Sequence, residues 1–187
     1  GMGSLRGLDK AAADNVMDRK DHLYELHSEL EDRTMRLILL YQPVAEDLRT
    51  ITCINVMNHS FYRVGRIGKD IAKAVLGMQG ETYTVPFESL NVMADIVYGM
   101  HREVLAAFRT GSAVNLETLG LQDDKVDAMR VTLSREYLTY MLEDAKNIRS
   151  GIEAITITRH LERAGDHACI MAEKIYFMAE GERIEIR

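Results

Sequence analysis

The sequence predicts an all-α fold, an antiparallel bundle of about five long helices. Its 187 residues include only two prolines, so long segments can keep continuous helical hydrogen bonding. Apolar residues recur three and four positions apart through most of the chain, and they do not alternate with period two over any useful length. Helices are expected at about 9–40, at 44–77, at 86–109, from the end of "RTGSA" to about 142, and at 147–180.

The boundaries of these helices follow from residues that interrupt or cap a helix. Pro43, in "QPVAEDLR", ends the first helix because it lacks the N–H that the helix needs, and it suits the first turn of the second. The segments "GMQGETYTVP", "RTGSA" and "EDAKN" separate the next pairs, and Gly181 is a C-cap for the last helix. The connections are short enough for antiparallel neighbours.

Composition indicates one soluble domain that spans residues 1–187 and has no affinity for nucleic acid. The net charge is −6, and the longest purely apolar run is "LILLY", which is too short to cross a membrane. The start "GMGSLRGLDK" has no apolar signal-peptide segment, and Cys53 and Cys169 form no paired motif. We therefore expect a cytoplasmic protein.

The second half of the chain repeats the first at a shift of 100 residues. Arg49 then falls on Arg149 and Gly65 falls on Gly165. The first repeat, 9–77, is a two-helix hairpin, and the second, 86–181, is a three-helix bundle. The counterpart of the helix at 86–109 would precede residue 1, so the first repeat is expected to lack its first helix. A second copy of the chain is the simplest cover for the exposed apolar stripe, which predicts a homodimer.

Four carboxylates of the second repeat should meet at one level of a helical hairpin. Residues at equal distances from the "EDAKN" turn lie side by side, which places Asp123 beside Asp166 and Asp127 beside Glu162. Such a cluster raises carboxyl pKa values unless a cation neutralises it. All-oxygen ligation favours hard ions, namely Mg, Mn, Ca or iron, over structural zinc. The sequence therefore predicts a metal site, although acidic pairs on exposed helix faces are also commonly just solvated.

The equivalent level of the first repeat carries no acid. Its four positions are Lys20, Tyr24, Tyr62 and Arg66, so a metal cannot be held there in the same way. Either the two tyrosines pack together while the two cations extend into water, or the cations form an anion site, conceivably for phosphate.

The chain resembles the PhoU family of phosphate-signalling regulators, which are built from two three-helix repeats. The resemblance is carried by "QPVAEDLR", "LTYMLEDAKNI", "LERAGDHACIMAEKI" and "YFMAEGE". It implies metal binding by paired acidic motifs, iron in some members and other divalent ions elsewhere, with zinc left open. In this chain the residues that match the family's acidic motifs are Asp123 with Asp127 and Glu162 with Asp166. The first repeat has no matching acidic residues.

The resemblance also implies a regulatory role rather than catalysis. Family members restrain phosphate uptake and phosphate-starvation signalling by contacting the ATPase of a phosphate ABC transporter and a membrane sensor kinase, so the membrane is involved only indirectly. The residues themselves leave three alternatives open: a metal-dependent hydrolase or redox enzyme that uses the same carboxylates, a regulatory module of another transporter, and a metal-free dimerisation module. No Ser-His-Asp pattern and no glycine-rich phosphate loop stands out.

Overall fold

The computed structural model describes residues 10–77 and 85–186, and in this part of the chain it contains helices and no strands. The helices are α1 (Lys10–Asp18), α2 (Lys20–Tyr41), α3 (Ala45–Gly77), α4 (Glu88–Thr110), α5 (Leu116–Glu143) and α6 (Ile148–Glu180), with a 3-10 turn at Ala145–Asn147. The all-α prediction is confirmed, and most of the predicted loop "GMQGETYTVP" lies outside the described residues.

The predicted first helix is interrupted at Arg19, which separates α1 from α2. No glycine or proline marks this break; instead α1 packs against α3, where Ala13 is fully buried. The end of α2 matches its prediction, because Gln42 adopts a left-handed conformation (φ 46°) and its N–H donates to the Ile38 carbonyl at 3.0 Å, directly before Pro43. Tertiary packing therefore decides the first boundary, and local sequence decides the second.

The long helices α3 and α6 form an antiparallel central pair that joins the two halves of the molecule. Both contain 33 residues. At one end Arg149 Nη2 donates to the Gly77 carbonyl at 2.8 Å. At the other end Arg49 lies beside Gly181, since a Cβ built on this glycine would be 3.8 Å from Arg49 Cζ. Arg49 and Arg149 are equivalent in the repeat, so an approximate two-fold axis relates the ends. Each cation lies at a helix C-terminus, where the helix dipole favours positive charge.

The three helices of the second half enclose a continuous core. Helices α4 and α5 pack against α6, and Tyr137 of α5 donates its hydroxyl to the Pro86 carbonyl at 3.1 Å, just before α4 begins. The fully buried side chains of this core are large and aliphatic or aromatic: Leu90, Met93, Met100, Leu119, Tyr137, Ile157, Leu161, Met171 and Ile175.

The first half is covered much less completely. The structure describes all 22 residues of α2, and among them only Thr34 is buried. Large apolar side chains at the end of α2 and in the following turn are exposed: Met35, Leu37, Leu39, Leu40, Tyr41 and Val44. The nine-residue α1 lies against α3, whereas the 23-residue α4 covers α6. The division into repeats at 9–77 and 86–181 stays a prediction.

None of the helices in the described ranges has an apolar stretch long enough to span a lipid bilayer.

Candidate functional site

The four carboxylates predicted from the sequence lie near one another where α5 packs on α6. Asp123 and Asp127 are one turn apart on α5, and Glu162 and Asp166 are one turn apart on α6. Gly165 permits this close approach, because a Cβ at that position would lie only 3.3 Å from Asp123 Oδ1. Residues at equal distances from the turn therefore lie near one another, as the sequence predicts.

Three of the four carboxyl groups, those of Asp123, Glu162 and Asp166, have raised pKa values. Partial burial is the largest cause of the raised pKa of Asp123, followed by the charges of Asp166 and Asp127. The pKa of Asp166 is raised for the same reasons, first by burial and then by the charge of Asp127. Burial also raises the pKa of Glu162, although the nearby Arg130 opposes the shift. Protonation or a cation would relieve this conflict.

A cation already lies beside the cluster. Arg130 Nε of α5 is 2.7 Å from Glu162 Oε1, and both side chains are partly shielded from solvent. This partner was not predicted from the sequence, although a basic residue three positions after Asp127 was a visible signal. In the described ranges, no set of three or more His, Cys, Asp or Glu side chains is arranged to hold a metal ion. The metal role of the four residues therefore stays a prediction that requires their side chains to converge further.

Cys169 supports the cluster from the core side. It is 7% exposed, and its thiol donates a hydrogen bond to Asp123. Burial and the charge of Asp123 raise the pKa of the thiol well above its ordinary value. Cys169 is thus a neutral thiol at physiological pH that packs beside the cluster.

The equivalent level of the first repeat is aromatic and basic. The rings of Tyr24 and Tyr62 are 6.4 Å apart, which confirms that they pack together. Tyr62 also stacks on His27, with ring centroids 4.4 Å apart, and the Arg66 guanidinium lies 6.0 Å from the Tyr62 ring centre. This stack occupies the positions that carry acids in the second repeat.

A pH-dependent stability difference follows from the raised pKa of Asp166. Because its folded-state pKa lies above the unfolded value, the ionised group lowers stability above that pKa, and the cost disappears as pH falls through it. In chelator-treated protein, Asp166→Asn should raise the melting temperature by a few degrees at pH 7 and not at about pH 4. Asp32→Asn, at an exposed position of α2, is the control. Equal melting temperatures for Asp166→Asn and wild type at both pH values would contradict the coupling.

Comparison with known proteins covers nearly the whole chain. The model of the PhoU domain family matches residues 2–75 and 90–175. The phosphate-specific transport system accessory protein PhoU homolog of Zymomonas mobilis is 33% identical over 179 residues, which are 96% of this chain and 76% of the relative. That of Rhizobium meliloti is 32% identical over 182 residues, or 95% of this chain and 77% of the relative.

Two solved structures share the fold. The crystal structure of PhoU from Pseudomonas aeruginosa superposes with a TM-score of 0.90 at 27% identity, covering 97% of this chain and 87% of that one. The phosphate transport system regulatory protein PhoU from Streptococcus pneumoniae gives a TM-score of 0.87 at 26% identity, covering 97% and 86%. With matches of this length to both halves of the chain, the protein belongs to the PhoU family.

Proposed function

We propose that this protein regulates phosphate uptake and phosphate-starvation signalling in association with a phosphate-specific transport system. The observation that carries the proposal is the match over nearly the whole chain to relatives named as accessory proteins of that system. By family resemblance, the partners are the ATPase of the phosphate transporter and a membrane sensor kinase.

The protein acts by contact with these partners, and not by catalysis. Asp127 and Asp166 are exposed to solvent, whereas a hydrolytic or redox centre requires a site that excludes water and a positioned acid or base. An exposed cluster on two packed helices is suited instead to fixing the shape of a contact surface.

The acidic cluster is proposed to bind a hard metal ion, iron being one candidate. Asp123, Asp127 and Asp166 would supply oxygen ligands, and Glu162 would join them after release from Arg130. Two observations support the donor set: neighbouring carboxylates raise the pKa values of Asp123 and Asp166, and all four residues offer the oxygen ligands that hard ions prefer. A bound ion would neutralise the cluster and join α5 to α6.

A homodimer is proposed to form through the exposed apolar surface at the end of α2. Leu40 and Tyr41 are each 74% exposed, and their neighbours Leu37 and Leu39 are also open to solvent. Contiguous exposed apolar residues are typical of protein interaction surfaces. A second copy of the chain is the simplest partner that would bury these side chains.

Metal binding can be tested by substituting residues of the cluster. We expect Asp166→Ala to weaken binding of Mn²⁺ or Fe²⁺ more than tenfold, and Glu162→Lys to abolish it, because each substitution removes a ligand and the second adds a like charge to the ion. Arg130→Gln should tighten binding severalfold, since it removes a competitor for Glu162. Titration calorimetry and elemental analysis measure these effects.

The matched control for these substitutions is Asp32→Ala, which removes an exposed carboxylate from α2, a helix that packs on α3 and not on α5. It should leave affinity unchanged. Circular dichroism checks that each variant keeps its helices. Unchanged metal content in Asp166→Ala would remove the cluster from consideration as a metal site.

The regulatory role can be tested by expression in a bacterium that lacks its own PhoU gene. We expect the protein to restore a low signal from a phosphate-starvation reporter in phosphate-rich medium, and to restrain phosphate uptake. Glu162→Lys should restore neither, if the metal shapes the contact surface. The Zymomonas mobilis relative is the positive control; failure of the soluble protein where that relative succeeds would count against the proposed role.

The dimer can be tested by charging its proposed interface. We expect Leu37→Glu/Leu40→Glu to shift the sedimentation coefficient from dimer to monomer, because two carboxylates would have to be desolvated in the interface. Leu121→Glu, which alters a residue 66% exposed on α5, should stay dimeric. A wild-type protein that is monomeric at high concentration would exclude this interface.

A further inference from the structure

A large cavity lies between the two halves of the molecule, on a different face of α6 from the acidic cluster. It has a volume of about 900 Å³ and is bounded by α1, α2, α3, α4 and α6. Its walls are mainly apolar: Leu23, Phe61, Val64, Ile71, Leu161 and Ala164. A space of this size accommodates a small organic molecule.

One part of the wall is strongly basic. Arg19, Lys20, Arg66 and Lys69 all line the cavity, and among its described lining residues Asp21 is the one acid. This excess of positive charge contrasts with the net charge of −6 for the whole chain. It creates a local positive potential that favours an anion carrying more than one charge.

The cations of this wall are crowded. The pKa of Lys69 is lowered, mainly by the charge of Lys73, with Lys20 and Arg66 adding to the effect. No ion pair between described residues involves Lys20, Arg66 or Lys69. Asp70 offsets part of the repulsion at Lys69 without forming an ion pair with it, and a bound anion would relieve the remainder.

Helix α4 contributes a buried polar side chain to the cavity wall. His101 of α4 is 7% exposed and lines the cavity, and neither ring nitrogen makes a hydrogen bond of good geometry with a described residue, although the Ala164 backbone is close. Burial lowers the pKa of His101 to about 4, so the ring is neutral and offers one donor and one acceptor. Buried polar groups normally have partners, and a ligand in the cavity would supply one.

We propose that this cavity binds a phosphate monoester that carries an apolar body. Lys20, Arg66 and Lys69 hold the phosphate, and the apolar body packs among Leu23, Phe61 and Val64. His101 makes a hydrogen bond to the bound ligand. The cavity wall carries four cations and one acid, and the double negative charge of a phosphate balances this excess better than the single charge of a carboxylate does. Inorganic phosphate alone would leave the apolar part of the cavity unfilled.

The proposal is tested first by comparing ligands in titration calorimetry with the full chain. The probes are octyl phosphate, AMP, inorganic phosphate and octanol. At least one of the two esters should bind ten or more times more tightly than inorganic phosphate and octanol, and the tighter ester identifies the body as aliphatic or as an aromatic base. If neither ester binds at least ten times more tightly than both inorganic phosphate and octanol, the proposal is overturned.

Two variants then test the two parts of the site. Lys20→Gln/Lys69→Gln should weaken binding of the tighter ester by about tenfold or more, because charge-assisted contacts are lost. Val64→Phe should weaken the same ester by filling the apolar part, while affinity for inorganic phosphate stays unchanged. Circular dichroism and melting temperature check the fold, and the two surface lysine substitutions keep the test valid if Val64→Phe unfolds.

The control removes an exposed lysine elsewhere. Lys146→Gln lies in the turn before α6, outside the cavity, and should bind the ester as wild type does. Wild-type affinity in the double lysine variant, or an equal loss in the Lys146 control, would overturn the assignment of the site.

Discussion

The antiparallel packing of α3 on α6 is the constraint on which the rest of the structure depends. Both helices are 33 residues long, and each ends beside an arginine at the beginning of the other. Helix α6 is the more deeply buried, with 13 of its residues in the core. It contacts α3, α4 and α5 on different faces, so its position fixes both the acidic cluster and one wall of the cavity.

Equivalent positions of the two repeats carry opposite chemistry within this common frame. The second repeat gathers carboxylates, and there Arg130 offsets part of the repulsion by pairing with Glu162. This ion pair is only partly shielded from solvent and contributes about 1 kcal/mol, so it leaves the cluster only partly neutralised. The first repeat gathers cations, and there the Arg66 guanidinium lies near the Tyr62 ring. None of the ion pairs between described residues gives Arg66 a carboxylate partner.

The sequence predicted those features that depend on local chemistry or helical period. Pro43 and Gly181 placed two helix ends, and Gly181 indeed has the left-handed conformation (φ 78°) that glycine favours. Counting residues from the "EDAKN" turn was enough to bring Asp123 beside Asp166, because two packed helices advance by the same distance per residue. The break at Arg19 was not predictable, since apolar spacing continues across it and the docking of α1 on α3 produces it. The cavity also escaped prediction, because its walls combine residues from five helices.

The acidic pair and the cavity use the same two turns of α6. Leu161 and Ala164 face the cavity, while Glu162 and Asp166 emerge beside α5 from the intervening positions. A rigid helix cannot shift one of these faces without moving the other, and close-packed interiors transmit such shifts to their neighbours. Gly165 lies between these two groups of residues and determines how closely α5 approaches α6. A Cβ at this position would lie 3.3 Å from Asp123 Oδ1 and 3.7 Å from Val126 Cγ1. The charge chemistry of the surface and the packing of the interior are thus linked through one short segment of the chain.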